Sequence, residues 1–347
     1  LTRYRIALIE GDGIGPEVTR VALSILEALE DEFGLSLEIQ PAPAGDTCLQ
    51  RNGAALPEES IRVIGRSDSC LKAPVGESAA EVVVRLRRDF DLYANIRPAK
   101  GLPGVRSLAP GADLVIVREN TEDLYKGMEF DIDGGAVALR LITRRASERI
   151  AERAFRLAES RKKRRKVVAV HKSNVLKKSD GVFASACRKV WRGHQAVDFS
   201  EMYVDAAAMN LIRSPESFDV IVTTNLFGDI LSDEAAQLVG GIGLAPSANM
   251  GDKFALFEPV HGSAPDIANR GIANPVAMLL SASMMLEWLE ESRRDPLCGR
   301  AARSLRAAVN GALERGISTP DLGGKHKSAE VAAFVVRQIH DGRKKEE

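Results

Sequence analysis

The sequence predicts an α/β protein whose chemistry lies where its strands end, and three observations predict it. A short apolar run at residues 5–9 breaks at Gly11-Asp12-Gly13-Ile14-Gly15-Pro16 and gives way to Val18, Val21, Ala22, Ile25 and Leu29 at helical spacing. Similar apolar runs recur at 114–117, 167–170 and 220–222. Each passes at once into polar groups: Arg118-Glu119-Asn120, His171-Lys172-Ser173-Asn174 and Thr223-Thr224-Asn225. Open α/β sheets bind ligands beyond the carboxyl ends of their strands, so these exits are where a site is expected.

Taken in order, the first run is a strand, the glycine cluster a tight turn, and Pro16 a first-turn residue of the next helix. The spacing of Gly11, Gly13 and Gly15 is G-x-G-x-G, not the dinucleotide-binding G-x-G-x-x-G, and Pro16 fills the sixth position. A tight turn into a helix accounts for them without a pyrophosphate. Residues 128–132 and 136–143 flank Gly134-Gly135 and read as a hairpin, either meeting another subunit or forming a surface excursion. The basic run 161–166 is expected to solvate a helix end before the next strand; without an aromatic platform it does not read as an RNA site. The longest apolar run, 275–286, stops at Glu287, too short for a bilayer, and reads as a buried helix.

Composition narrows the class. A chain of 347 residues suits two domains, and 45% hydrophobic with 28% charged residues describes a globular protein. The 48 basic and 48 acidic side chains cancel, so no global field recruits nucleic acid or an anionic membrane. No basic segment followed by an apolar stretch opens the sequence, so no secretory signal is expected. Cys48, Cys70, Cys187 and Cys298 are far apart with no Cys-x-x-Cys pair, which argues for reduced thiols in the cytoplasm and against zinc or a disulfide framework.

Five groups of residues invite chemistry. Asp229 and Asp233 are four apart, so on a helix they share a face, and oxygen-only ligation there suits Mg²⁺ or Mn²⁺. The competing explanation is an acidic helix start stabilised by the dipole. Asp205 is a third carboxylate, in an apolar stretch where an unpaired charge is out of place. Arg87, Arg97 and Arg118 offer planar forks for carboxylates, although Arg87, within Arg85-Leu86-Arg87-Arg88, reads as surface on its own. Lys172 sits just past a strand, where burial near cations lowers a lysine toward general-base range. Tyr125, seven residues after Arg118, is a candidate proton donor that alone would be read as core.

Several motifs together resemble the isocitrate/3-isopropylmalate dehydrogenase family of decarboxylating dehydrogenases. They are Glu10-Gly11-Asp12-Gly13-Ile14-Gly15-Pro16-Glu17, Tyr93-Ala94-Asn95-Ile96-Arg97-Pro98 and Val117-Arg118-Glu119-Asn120-Thr121-Glu122. His171-Lys172-Ser173-Asn174-Val175, the segment 225–233 and Glu258-Pro259-Val260-His261-Gly262-Ser263-Ala264-Pro265-Asp266 follow in order. Gly271-Ile272-Ala273-Asn274-Pro275 and Thr319-Pro320-Asp321-Leu322-Gly323-Gly324 complete a set that spans nearly the whole chain. Asn95-Ile96-Arg97-Pro98 and Ser247-Ala248-Asn249 resemble archaeal-type members.

The resemblance implies an isopropylmalate dehydrogenase-like two-domain α/β fold with a shared, twisted, mixed sheet. Residues 1–94 with 242–347 would form a cofactor-binding domain, and 95–241 an inserted domain carrying the clasp hairpin (about 128–143) and the dimer interface. It implies NAD and Mg²⁺ or Mn²⁺ as cofactors and a 2-hydroxy dicarboxylic acid as substrate. Arg87, Arg97 and Arg118 would hold the substrate carboxylates, and Tyr125 would return a proton to carbon. Asp229 and Asp233 would ligate the metal together with Asp205 from a partner copy, whose Lys172 would act as base. The assembly would be a homodimer or a dimer-based tetramer. His261, Gly262, Ser263, Ala264, Pro265, Asp266 and Ile267 would hold the adenosine end, with Asn274 at the adenine. Family members using NADP carry lysine and tyrosine where this chain has Asp266 and Ile267. A carboxylate accepts from a free 2′-hydroxyl and repels a 2′-phosphate, so NAD is expected.

Substrate choice turns on Val83 and Val84. Isocitrate-specific relatives carry serine and asparagine where Glu81 and Val83 stand, and homoisocitrate-specific ones can carry arginine near Val84. An apolar wall leaves a third carboxylate unpaired, which favours 3-isopropylmalate, and with it a place in leucine biosynthesis, or a smaller alkylmalate. The competing explanation is that both valines merely pack the helix. Lys72-Ala73-Pro74-Val75-Gly76 departs from the family's glycine-rich loop, and Ala80, between Glu77 and Glu81, stands where a glutamate is expected near the nicotinamide. The alternatives are homoisocitrate, isocitrate or tartrate as substrate, and a non-catalytic regulatory subunit. Retention of Tyr125, Lys172, Asp205, Asp229 and Asp233 speaks against the last.

Overall fold

The computed structural model describes residues 3–343. The chain opens with β1 (Arg3–Ile9), α1 (Gly15–Phe33), β2 (Ser36–Pro41), α2 (Asp46–Asn52), α3 (Glu58–Gly65), β3 (Ser69–Lys72) and α4 (Glu81–Asp89). The middle supplies β4 (Ala94–Lys100), β5 (Asp113–Glu119), the hairpin β6 (Glu129–Ile132) and β7 (Gly135–Ala138), α5 (Arg144–Arg161), β8 (Lys166–His171) and α6 (Ser179–Trp191). Then come β9 (Asp198–Tyr203), α7 (Val204–Arg213), β10 (Val220–Thr223) and α8 (Asn225–Leu238). The last part holds β11 (Pro246–Met250), β12 (Ala255–Pro259), α9 (Val276–Arg293), α10 (Pro296–Glu314) and α11 (Ser328–Arg343).

Local chemistry fixes these bounds. Pro16 sits in the first turn of α1, and Gly34 ends that helix at φ +67°, donating its N–H to the carbonyl of Glu30. The Thr143 side chain caps α5 by accepting from the N–H of Ala146, and Asp295 does the same for α10. The run 275–286 is indeed a buried helix, most of α9. The basic run differs from expectation at its first residue. Arg161 is drawn onto Asp219 and Asp113, so it ties α5 to the strands instead of reaching into water.

One ten-stranded mixed sheet organises the molecule, in the order β2-β1-β3-β12-β11-β4-β5-β10-β8-β9. Both wings are parallel, whereas β12, β11, β4 and β5 run antiparallel at the centre. Strands from the two ends of the chain fill one half of the order and strands from its middle fill the other.

The period of two along each strand then sorts residues between the faces. On one face Leu71, Phe257, Ala248, Ile96, Val117 and Val222 join a continuous core beneath α1, α5, α9, α10 and α11. On the other the core is split. Ile116, Val170, Ile221 and Leu231 form one cluster under α7 and α8; Ile9, Cys70, Val82, Leu86 and Leu256 form another under α3 and α4. The gap between these two clusters is where the polar residues of the central strands emerge.

The hairpin stands apart as its own two-stranded sheet, with Phe130 and Ile132 exposed. Its second arm ends at Ala138, five residues before the expected Thr143. Leu141 leaves to bridge Asp123, Arg140 turns inward onto buried carboxylates, and Thr143 is taken as a helix cap.

The glycine turn has a second function beyond turning. Gly11 and Gly13 have φ of +68° and +60°, and the N–H groups of Asp12 and Ile14 donate to the carbonyls of Pro74 and Ser263. A Cβ at residue 13 would lie 2.0 Å from the Ser263 carbonyl oxygen. Gly13→Ala is therefore expected to destabilise the protein by about 1–3 kcal/mol. Urea unfolding checks this, and an unchanged midpoint would show that the turn is not a fixed staple.

Candidate active site

A polar row crosses the sheet in the gap of the split core. Cross-strand register sets Asn249 opposite Asn95 and Asn95 opposite Arg118. The Asn249 Oδ1 accepts from Arg87 Nε at 2.9 Å, Asn95 Nδ2 at 2.8 Å and Asn120 Nδ2 at 2.9 Å. Its Nδ2 donates to Glu258 Oε1 at 2.8 Å, and Lys72 Nζ meets Glu258 Oε2 at 2.7 Å, both buried. Burial alone would raise the Glu258 carboxyl, but Lys72 and Arg87 outweigh it and hold the group at about 2. Arg87 is buried, not a surface residue. The sequence masks this because Arg88 is exposed and Arg85 half-exposed while Leu86 and Arg87 turn inward.

Next along the row, Arg118 is only 1% exposed. Its Nε donates to Asn225 Oδ1 at 2.9 Å, its Nη1 is ion-paired with Asp229, and its guanidinium lies 5.0 Å from the centre of the Tyr125 ring. The close approach of α8 depends on Gly228, where a Cβ would fall 2.6 Å from the Arg118 Cγ. Arg97 Nη1 donates to Ser232 Oγ at 2.7 Å and lies 3.2 Å from both Asp229 and Asp233. Burial, then Arg97 and Arg87, push the Arg118 guanidinium down to about 9.

Asp229 feels burial upward but Arg118, Arg97 and the Tyr125 hydroxyl prevail, so its carboxyl is held below the usual range. Asp233 moves the other way, raised by burial and by the like charge of Asp229 against the pull of Arg97. Tyr125 donates to Asp229, and burial together with that bond raises its pKa. The dipole explanation for the acidic pair fails, because α8 has no acid in its first turn; Asp229 is its fifth residue.

Lys172 and Asp205 stand apart from this row. Lys172 Nζ meets Asp205 Oδ1 at 2.5 Å, with the lysine a quarter exposed and the aspartate 61% exposed. The hydrogen bond to Lys172 lowers the Asp205 carboxyl. The apolar neighbourhood of Asp205 does not bury it, for Met209 and Ile212 are themselves 63% and 68% exposed.

Among the described residues no cluster of three or more histidine, cysteine or acidic side chains is arranged to hold a metal ion. Asp229 and Asp233 remain a hard-oxygen pair one helical turn apart, a donor set that suits Mg²⁺ or Mn²⁺ completed by further oxygens. The four cysteines are free and buried.

The predicted cofactor segment follows β12. The buried His261 Nε2 has no partner, while its Nδ1 lies 3.0 Å from the Gly262 carbonyl. Burial, with Lys72 nearby, lowers its pKa. Ala264 takes φ +38°, and Pro265, Asp266 and Ile267 form a short turn in which Asp266 is exposed. Gly262 is exposed, and Ser263 takes the N–H of Ile14. Asn274 is buried, donating to Asp321 Oδ2 at 2.8 Å. The orphaned imidazole nitrogen and the free Asp266 carboxylate fit a ligand rich in hydroxyl groups.

Val83 and Val84 fall on the Arg87 side of α4, one turn earlier. Val82 supplies the helix packing; Val83 is half-buried, and Val84 is 37% exposed, outside every core cluster. Glu77 and Glu81 are exposed. The residues that sequence reading left without a role are Lys72, Asn95, Asn249 and Glu258. The alternation of Asn95 with Arg97 and of Ser247 with Asn249 was a usable signal for the row.

A strand-exit site with an arginine cluster beside a carboxylate pair is a receptor suited to a small acid that carries more than one carboxylate. The model of the isocitrate/isopropylmalate dehydrogenase family matches residues 5–336, and the chain belongs to that family. It is 53% identical to the 3-isopropylmalate dehydrogenase of Methanothermobacter thermautotrophicus over 97% of this chain and 99% of that one. It is 49% identical to the isocitrate/homoisocitrate dehydrogenase of Thermus thermophilus, over 97% and 98%. The crystal structure of isocitrate dehydrogenase from Methylococcus capsulatus superposes with a TM-score of 0.89 at 40% identity, covering 97% of this chain and 99% of that one. Family members of this kind are decarboxylating, divalent-metal-dependent dehydrogenases. No described helix is long and apolar enough to cross a membrane.

Because the folded Glu258 sits at about 2 against an ordinary 4.5, it contributes stability that is complete above pH 4.5 and is lost as pH falls toward 2. Glu258→Gln leaves Lys72 buried without its counter-charge. Stability at pH 7 should fall by about 3–5 kcal/mol, and the remaining curve should be flatter between those two values. Denaturant titrations at stepped pH test this, and an acid limb as steep as the parent's would contradict it.

Proposed function

We propose that this chain is an NAD-dependent dehydrogenase that oxidises and decarboxylates a 3-substituted malate, with 3-isopropylmalate as substrate. The observation that carries the proposal is the convergence of Arg87 and Arg118, both buried, and the mostly covered Arg97 beside Asp229 and Tyr125. Three guanidinium groups that have only partial counter-charge form a receptor for a dicarboxylate. Val83 and Val84, one turn before Arg87, would meet the alkyl substituent, and neither offers a donor to a third carboxylate.

Asp229 and Asp233 of one copy, with Asp205 of a second, would hold Mg²⁺ or Mn²⁺. When bound, the ion supplies Lewis-acid polarisation of the substrate oxygen. Lys172 from the second copy would accept the proton of the substrate hydroxyl, and a bound nicotinamide would supply the acceptor for the hydride on C2. Carbon dioxide is then lost from the resulting β-keto acid, and Tyr125, which burial and Asp229 keep protonated, gives its proton to the carbon left behind. His261–Ile267 and Asn274 would seat the adenosine end, with Asp266 accepting from the free ribose hydroxyl.

The two-copy site is supported by what surrounds its parts. Lys172, Asp205 and Asp229 lie on segments whose apolar residues Val175, Met209, Ile212 and Ile230 face outward. Large exposed apolar groups of this kind mark a protein interface. In the proposed division, residues 1–94 with 242–347 form one domain and 95–241 the other, the hairpin joining the dimer contact.

Turnover of 3-isopropylmalate, homoisocitrate, isocitrate and tartrate with Mg²⁺ and NAD tests the substrate. The highest kcat/KM is expected for 3-isopropylmalate; faster isocitrate turnover would overturn that choice. In the same assay Asp266→Lys with Ile267→Tyr should shift preference toward NADP by at least ~10-fold. An unchanged ratio would remove Asp266 from cofactor selection.

A further inference from the structure

Arg140 lies at the foot of the hairpin, and no catalytic or binding role was assigned to it above. Its side chain is 13% exposed and faces two carboxylates that are completely buried, those of Asp123 and Asp180. Its Nε meets Asp123 Oδ1 at 2.7 Å, its Nη1 is ion-paired with Asp180, and its Nη2 donates to Thr224 Oγ1 at 2.8 Å. The guanidinium also lies 5.1 Å from the centre of the Phe227 ring.

Each buried carboxylate holds a backbone segment in turn. Asp180 Oδ2 accepts the N–H of Lys172 at 2.6 Å. Asp123 Oδ2 accepts the N–H of Leu226 at 3.1 Å, in the first turn of α8, and its Oδ1 accepts from Leu124 at 3.0 Å, starting the short turn that carries Tyr125. Asp123 is held at φ +71° and ψ −151°, backbone space that belongs almost wholly to glycine. Strain of that kind persists only where several bonds enforce it, and here the bonds converge on one guanidinium.

We infer that Arg140 is a positioning residue that sets Lys172, Tyr125 and the Asp229–Asp233 helix relative to one another. The inference rests on the roles proposed for those groups. Under that reading Lys172 serves the partner copy's substrate, whereas Tyr125 and α8 serve the chain's own. A single arginine then organises parts of two sites. Lysine cannot substitute, because a point charge reaches one carboxylate where the planar fork reaches two and a hydroxyl.

Two variants test this in the full-length protein. Arg140→Lys keeps the charge, and Arg140→Gln with Asp180→Asn removes a charge from each side; heat denaturation establishes which of them fold. In a folded variant kcat with 3-isopropylmalate should fall roughly 10- to 100-fold. KM for NAD should stay within about threefold of the parent, because residues 261–267 lie outside the cluster.

Differently tagged copies co-expressed as mixed dimers separate positioning from folding. Lys172→Met and Asp229→Asn chains should complement each other, regaining up to about half the parental turnover through one intact site. Arg140→Lys should be complemented by neither. Parental kcat in a folded Arg140→Lys protein, or its complementation by Asp229→Asn, would overturn the inference. If Lys172→Met and Asp229→Asn fail to complement, the two-copy site falls while the kcat of the Arg140 variants still decides the positioning role. A parent without turnover on any acid sinks the proposed function and this role with it.

Discussion

The crowding of three guanidinium groups, two of them buried, over one face of the sheet is the constraint on which the rest of the site depends. Like charges this close repel, and the effect is visible in Arg118, pushed down to about 9 by burial and by its two neighbours. The cluster is tolerated because anions are built against it, Asp229 beside Arg118 and Arg97, and Glu258 beside Arg87. Glu258 is shared with Lys72, so its hold on Arg87 is partial, at 3.7 Å. Asn249, neutral and accepting from three donors, orients the row without cancelling its charge. With Lys72 included, four cations face three acids, and the imbalance favours an anionic ligand.

The split core explains how such a row finds a place in a well-packed protein. One face of the sheet carries an unbroken apolar layer, so the two halves are bound together there. On the other face α4 and α8 belong to separate clusters. What spans the gap between them is the polar row, and a ligand gripping Arg87 on one side and Arg97 and Arg118 on the other would draw the helices together. Hydrophobic burial thus holds the scaffold, while the cleft depends on hydrogen bonds and charge.

Much of this was legible in the sequence. Strand exits located Arg118, Lys172 and Thr223, and the four-residue spacing put Asp229 and Asp233 on one helix face. What could not be read was register. Asn95 and Asn249 meet across neighbouring strands, yet they are 154 residues apart along the chain, and nothing local announces their pairing. Arg87 was hidden by composition, since an inward arginine and an outward one look alike within a charged run. Asp205 misled in the opposite sense, because apolar neighbours imply burial only when those neighbours are themselves covered. The hairpin's short second arm was set by Arg140, which turns inward toward acids from distant segments.

The exposed pair of Lys172 and Asp205 also bears on the proposal that a complete site takes two copies. An ion pair so open to water adds little to folding, so stability does not account for its placement. Its backbone, by contrast, is fixed through Asp180, which is wholly buried. A lysine anchored firmly at its main chain and left loose at its tip is suited to serve something outside its own chain. The outward-facing Met209 and Ile212 lie one and two turns from Asp205 on α7, and covering them with a second copy would also bring the pair out of water. Removal from water disfavours a charged amine relative to a neutral one, and the neutral form is what a proton acceptor must present.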